Sequence, residues 1–275
     1  MPTYLSDTAI VLRVTDFSET SQVVGVFART HGLLPLIAKG SKRPSKKSTM
    51  SGPLDLLTSG EVVFISPKQT AELGTLHAWE LADHRKTLRA NLPGLNAAMV
   101  AAEVTLRLLQ PLDPHPELYD ELEAALKLLG GPQFARGLLA YTKAALVAAG
   151  YAPQLEACAL CGKSLATAAP ETPTLFAPSA GGVVCTACSS RVPTVASGRG
   201  GSATTTGYAH KTTVPARILI ALARLPAPSE LLLRPSDRPA DPAALSTALE
   251  LLLSQIEALT DKPLKTRYLL PSLFR

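Results

Sequence analysis

At 275 residues, 46% hydrophobic and 18% charged, the chain is longer than one typical domain and too apolar to be disordered or a small disulfide scaffold. A net charge of +5 and a pI of about 9.1 favour a polyanionic partner, but where the charge sits matters more than its sum.

The N-terminus, "MPTYLSDTAIVLRVTD", shows no basic leader ahead of an apolar core and a small-residue cleavage site, so no signal peptide is expected. No run reaches the roughly 18 uncharged apolar residues of a membrane span. The longest is broken by Glu103 and Arg107. The expectation is a soluble cytoplasmic protein with no membrane partner.

Residues 8 to 81 read as five strands: "TAIVLRVTD", "SQVVGVFAR", "GLLPLIAK", "EVVFIS" and "AELGTLHAWEL". They are short, rich in Val, Ile, Leu and Phe, and separated by Gly, Ser, Asp or Pro. Five strands in so few residues predict a small closed barrel over 1–81, of which the OB-fold is the commonest nucleic-acid-binding form. An SH3-like barrel would read almost the same.

Positive charge is concentrated in one stretch of that barrel. "ARTHGLLPLIAKGSKRPSKKSTMSG" carries Arg29, Lys39, Lys42, Arg43, Lys46 and Lys47, with no acidic residue from Arg29 to Lys47. A Ser/Lys/Pro loop leaving a barrel strand can lie along a phosphate backbone. These six cations are the candidate DNA contacts. If all six displaced counterions on one strand, the log–log salt slope would be about −4. Tyr4, Phe17, Phe27 and Phe64 are the aromatic candidates for stacking on bases. The alternative is a solvated loop that only aids solubility.

From about Leu92 the period changes from two to three and four, as in helices. "NAAMVAAEVTLRLLQ", "PELYDELEAALKLLGG" and "PQFARGLLAYTKAALVAAG" are predicted helices, the second and third bounded by Pro at the start and Gly at the end. Two more are expected around "VPARILIALARL" and "DPAALSTALELLLSQIEAL", the latter opening on an Asp241-Pro242 cap. Residues 82–275 therefore read as an all-α bundle with an insertion at about 151–195. A Gly/Ser/Thr-rich segment, 189–211, is expected to be flexible.

The insertion holds every cysteine of the chain: Cys158, Cys161, Cys185 and Cys188, as two CxxC pairs with 23 residues between them. Each pair can close a knuckle, and two knuckles complete a tetrahedron around one structural zinc ion. Four thiolates leave no open position for water or substrate. A dithiol redox centre would place its CxxC after a strand of a βαβ unit, and neither pair is so placed.

His115-Pro116-Glu117 is an H-x-E, which in nucleobase deaminases accompanies a later P-C-x-x-C. Here Ala157 precedes Cys158 and Val184 precedes Cys185, so the stretch reads as a turn entering a helix. No phosphate-binding Gly-rich loop or nucleophile elbow is present, and the chain is read as a non-enzyme.

"VLRVTDFSETSQVVGVFARTHGLLPLIAKGSKRPSKK" resembles the N-terminal domain of RecO, the bacterial recombination-mediator family. The shared features are Glu19 ahead of an apolar strand, His31-Gly32 at the next turn, and Ala38-Lys39-Gly40 leading into a basic loop. The order of parts also matches: barrel, bundle, late four-cysteine element. The fold class is thus α+β multidomain, an N-terminal five-stranded OB-fold barrel followed by a helical bundle with an inserted zinc element.

The resemblance implies binding of single- and double-stranded DNA, annealing of complementary strands, and work with RecR to load RecA onto DNA covered by single-strand-binding protein. It also implies contact with that protein's acidic, apolar C-terminal tail through the helical domain. Lys211, Arg217 and Arg224 are cations near "VPARILIALARL" that such a groove could use, though no motif singles them out. Some RecO-like proteins lack the four cysteines, which makes a structural role for the metal the expectation. The alternatives are a zinc-stabilised interaction scaffold without a direct DNA role, and a zinc-dependent deaminase.

Overall fold

The computed structural model describes residues 3–43, 49–50, 52–67, 72–165, 169–192, 211–234 and 241–274. Lys46 and Lys47, and most of the segment 189–211, lie outside these residues.

Five strands, β1 (Leu5–Asp16), β2 (Gln22–Ala28), β3 (Gly32–Ala38), β4 (Ser59–Ile65) and β5 (Gly74–Asp83), close a barrel in the order β1-β2-β3-β5-β4. All neighbours are antiparallel except β3 and β5. This is the OB arrangement, and it resolves the choice against an SH3-like barrel. Ala9, Val11, Val24, Val26, Leu34, Leu36 and Phe64 fill the interior.

The outer face of the barrel is also apolar where it meets the helices. Ile10, Leu12, Phe27 and Leu33 point away from the barrel interior and join the core of the helical bundle. This alternation follows from the period of two along each strand. A register shift between Val11 and Arg13 marks a bulge, so Leu12 stays buried while Arg13 is exposed.

The helical part consists of α1 (Lys86–Arg89), α2 (Leu92–Leu108), α3 (Pro116–Leu129), α4 (Phe134–Ala148), α5 (Ala216–Ala223), α6 (Pro228–Leu233) and α7 (Pro242–Thr260). Asp241 caps α7 by accepting from the amide of Ala243 at 3.0 Å, as its Asp-Pro start predicts. A final 3-10 helix, Lys265–Ser272, lies against α2.

Carboxylates on α2 and α7 hold that last segment. Glu103 accepts from the amides of Lys265 (2.8 Å) and Thr266 (2.7 Å). Glu257 accepts from the amide of Leu264 at 2.9 Å, and Arg267 pairs with both Glu250 and Glu257. Burial opposes the charge on Glu103, but those amides outweigh it and hold its carboxyl below the usual range.

The insertion between α4 and α5 contains a three-stranded sheet, ordered β7-β6-β8, that sequence reading did not anticipate. Its strands are β6 (Pro173–Ala177), β7 (Gly182–Val184) and β8 (Thr212–Pro215). Phe176, Val183 and Val214 join the helical core, while Ala177, Val184 and partly buried Leu175 pack with the cysteines. Among the described residues, no helix is long and apolar enough to cross a membrane.

Polar contacts fix the seam between barrel and helices. The Arg85 side chain is 3% exposed. It donates to the carbonyl of Leu57 (3.1 Å), to Ser59 Oγ (3.2 Å) and to Glu123 (2.6 Å) on α3. The Phe27 ring meets Tyr119 edge-on at 5.7 Å, and burial pushes the Tyr119 hydroxyl up to about 12. Leu112 donates its amide to the carbonyl of Leu33 at 3.0 Å.

Gly32 is the tightest point of this seam. Its φ is +71°, and a Cβ there would lie 2.1 Å from the carbonyl oxygen of Asp113. Gly40 has the same φ with open space around it. Gly40→Ala should therefore cost only the left-handed backbone term, about 1 kcal/mol. Gly32→Ala adds a backbone clash and should cost more than ~2 kcal/mol. Urea midpoints measure both, and equal losses would contradict the seam contact.

Candidate nucleic-acid interface and metal centre

The basic segment leaves β3 over the tip of the β1–β2 hairpin. The hairpin closes through Phe17 N–H donating to the carbonyl of Ser21 at 3.0 Å, with Glu19 exposed in the turn. Above it, Lys42 N–H donates to the carbonyl of Thr20 (3.1 Å), and Arg43 N–H donates to the carbonyl of Gly40 (3.0 Å).

Gln22 anchors both ends of the loop. Its buried side-chain oxygen accepts from Ser41 Oγ and from the amide of Leu54, each at 3.0 Å. Its Nε2 donates to the carbonyl of Leu54 at 3.1 Å. One buried amide thus satisfies groups on either side of the basic run. Nothing in the sequence pattern marks Gln22 for this, apart from a polar residue opening an otherwise apolar strand.

The structure separates the predicted cations into three groups. Lys39 and Arg43 are exposed and make no ion pair among the described residues. Lys42 is paired with Asp16 at 2.5 Å. Arg29 lies at the seam, where its guanidinium grips Asp120 of α3 through Nε (2.9 Å) and a second nitrogen (2.7 Å). Lys46 and Lys47 lie outside the described residues.

The stacking candidates also divide. Phe27 and Phe64 are fully buried, which corrects the expectation for both: one packs against the helices and one inside the barrel. Tyr4 and Phe17 are exposed. Phe17 stands at the hairpin tip, next in sequence to the Asp16 that pairs with Lys42, and Tyr4 packs against His77 with ring centroids 4.9 Å apart.

The outer face between these features is smooth. Val23 is opposite Ile37 and Gly25 opposite Pro35 across β2 and β3, and these half-buried positions carry no charge and no aromatic ring. The arrangement suits a backbone-tracking site, with cations at the loop and one aromatic at its edge.

The His31-Gly32 turn serves the fold. His31 Nδ1 lies 2.8 Å from Asp7 Oδ2, which also accepts from the amide and hydroxyl of Thr30.

The four cysteines converge. All four sulfurs lie within 4.8 Å of one another, with Cys161 and Cys185 3.8 Å apart. A tetrahedron with metal–sulfur bonds of about 2.3 Å has edges of about 3.8 Å, so the set fits one ion. Gly162, at φ +72°, turns the first knuckle, and the amide of Cys188 closes the second on the carbonyl of Cys185 at 3.0 Å.

Burial works against ionising Cys158, yet the amides of Cys185, Leu160 and Cys161 hold its thiol down at about 6. Cys188 is pushed up to about 12, first by its contacts with the sulfurs of Cys185 and Cys161. Sulfurs this close repel as anions, and a central cation lets all four ionise.

His115 sits at the start of α3, with Nε2 3.2 Å from Asp113. No histidine joins the metal-ligand cluster found among the described residues, so the deaminase pattern is not assembled. Of the helical cations, Arg217 is paired with Glu171 and Lys211 donates to the carbonyl of Ser189 at 2.6 Å. Arg224 is exposed.

Comparison with known proteins covers nearly the whole chain. The family model described as recombination protein O N terminal matches residues 1–85, and that described as recombination protein O C terminal matches residues 89–267. The DNA repair protein RecO of Rhodopirellula baltica is 33% identical over 182 residues, which is 66% of this chain and 65% of that one. Its counterpart in Moorella thermoacetica is 32% identical over 188 residues, 68% of this chain and 67% of the relative. That of Cutibacterium acnes is 34% identical over 197 residues, 68% and 75% respectively. The first of these matches thus spans just under two thirds of its relative's length.

The ion pairs at the interface have opposite consequences for a polyanion. Asp16→Asn releases Lys42 and should steepen the log–log salt dependence of single-stranded DNA binding by about 0.7, one phosphate contact. Arg29→Gln should leave that slope unchanged while lowering thermal stability. Fluorescence anisotropy over a salt series reads both, and a shallower slope for Arg29→Gln would return that residue to the binding path.

Proposed function

The chain belongs to the RecO family, and from that premise we propose that it is a DNA-binding, strand-annealing recombination mediator acting in DNA repair. The observation that carries this reading is the pair of exposed cations, Lys39 and Arg43, which make no ion pair among the described residues and flank a loop base anchored by Gln22, with Phe17 exposed at the hairpin tip. Cations held on a prepared base neutralise phosphates without first ordering a free loop.

Annealing then requires little of the protein. Two strands repel through their phosphates, and a barrel with a basic loop reduces that repulsion while base pairing supplies the specificity. No covalent bond breaks and no nucleotide is consumed, so the protein acts without catalysis. With RecR it would help load RecA on DNA covered by single-strand-binding protein, whose acidic tail it would engage through the helical domain.

The metal proposed for Cys158, Cys161, Cys185 and Cys188 is a single zinc ion. Four thiolates in a closed tetrahedron suit zinc and leave it no open position for chemistry. Its contribution is to stabilise an insertion whose own core is small: Ala177, Val184, Val192 and the buried Cys158, Cys185 and Cys188.

Two experiments test these proposals. In a strand-annealing assay, reversing Lys39, Lys42, Arg43, Lys46 and Lys47 to Glu should slow annealing on the order of tenfold or more and flatten its salt dependence. Unchanged annealing would refute the assignment. Metal analysis should find one zinc per chain, and Cys161→Ser should lower the thermal midpoint more than it weakens DNA binding. A fully stable protein that takes up no zinc would refute the metal assignment.

A further inference from the structure

Where β1 passes its bulge, Arg13 turns outward and faces α2 and the C-terminal segment across an open groove of about 450 Å³. The floor of the groove is apolar, formed by Leu12, Met99 and Leu106. Its rim carries Arg13, Lys262 and Lys265, all exposed and none in an ion pair among the described residues.

The groove also contains Arg107 and Glu103, but both are turned to their own scaffold. Glu103 accepts from the amides of Lys265 and Thr266, from the Thr266 hydroxyl at 2.8 Å and from Arg107 at 3.2 Å. Arg107 also donates to the carbonyl of Pro263 at 2.8 Å. The groove is therefore cationic toward solvent.

It is also continuous with the barrel's outer face. Arg13 is opposite Gly25 across β1 and β2, and Gly25 is opposite Pro35 across β2 and β3, so no bulky side chain separates the two. Asp16, which carries Lys42, is three residues along β1 from Arg13, about 10 Å in an extended strand.

Tyr268 adds an aromatic surface. It is 77% exposed and follows Lys265 by three residues in the 3-10 helix Lys265–Ser272, where residues three apart share a face. Cations on the rim of an apolar floor, with an exposed ring one turn beyond Lys265 in the same 3-10 helix, match the two features of a single strand, its phosphates and the flat faces of its bases. A duplex offers this groove only phosphates.

We propose that the groove holds a further stretch of single-stranded nucleic acid, with phosphates on Arg13, Lys262 and Lys265 and a base on Tyr268. A strand leaving the barrel loop thus crosses the seam onto the C-terminal segment. The proposal rests on the nucleic-acid-binding reading above, and its test separates the two.

An oligo-dT strand is titrated against the full chain over a salt series. The triple variant Arg13→Gln, Lys262→Gln, Lys265→Gln should flatten the log–log slope by about 2, at roughly 0.7 per contact. Tyr268→Ala should weaken binding about tenfold at constant slope. The control is Lys39→Gln with Arg43→Gln. If the control flattens the slope and the triple variant does not, the groove proposal fails while the barrel reading stands. If neither variant changes the slope, both fail.

Loss of binding to a poly-glutamate peptide in the triple variant, with the oligo-dT slope intact, would assign the groove to an acidic protein segment and overturn the proposal. Should the triple variant lose thermal stability, photocrosslinking of 5-iodouracil-substituted oligo-dT to the unaltered chain decides. An adduct on Tyr268 supports the groove, and adducts confined to the barrel overturn it.

Discussion

The apolar outer face of β1, β2 and β3 constrains everything else in this molecule. A small barrel needs one apolar face per strand, yet here Ile10, Leu12, Phe27 and Leu33 carry a second, and the helices cover it. Burying four such side chains is worth roughly 6–12 kcal/mol of transfer free energy, comparable to the net stability of a whole domain. The barrel is therefore not a module on a tether. Its orientation on the bundle is part of the fold, and Arg85, Gly32 and the Arg29–Asp120 pair act on a seam that apolar burial already specifies.

This docking decides which surface remains for a ligand. Covering the Phe27–Leu33 end of the β2–β3 face leaves the other end, Val23 to Ile37, open beside the hairpin tip and the basic loop. Lys39 and Arg43 fall at that open end, and Arg29 falls at the covered one. Position along two strands thus sorts the cations by role. At the seam a guanidinium finds a carboxylate from another domain, and at the open end it meets solvent.

Much of this was legible in the residues themselves. The five strands follow from alternation and turn residues, and the long helices follow from Pro and Gly bounds around a three-four period. The cysteine cluster follows from spacing. The small sheet of the insertion was not legible, because strands of three to five residues are too short to show a period. Six-residue α6 and the terminal 3-10 helix escaped for the same reason.

The burial of Phe27 was hidden by a different cause: β2 is apolar on both faces, so alternation cannot say which side meets water. Arg29 could not be assigned from its neighbours, since its partner is 91 residues away in sequence. Charge density alone identifies a basic stretch. Only the tertiary fold decides which of its members are already neutralised.

The cysteine element follows the same logic on a smaller scale. Its sheet lends Phe176, Val183 and Val214 to the bundle and keeps Ala177 and Val184 for itself, so one face is anchored by the main core and the other needs its own support. A handful of small side chains cannot provide that support by burial alone. Four sulfurs converge to within 4.8 Å, a set that could hold a metal ion in place of a larger core, at a point where the chain leaves the bundle after α4 and must return to begin α5. The strongest motif in the sequence is thus a device for closing an excursion. The weaker signal, Lys39 and Arg43 at a barrel's open end, marks exposed charge that has no ion-pair partner among the described residues, and the proposed nucleic-acid site rests on it.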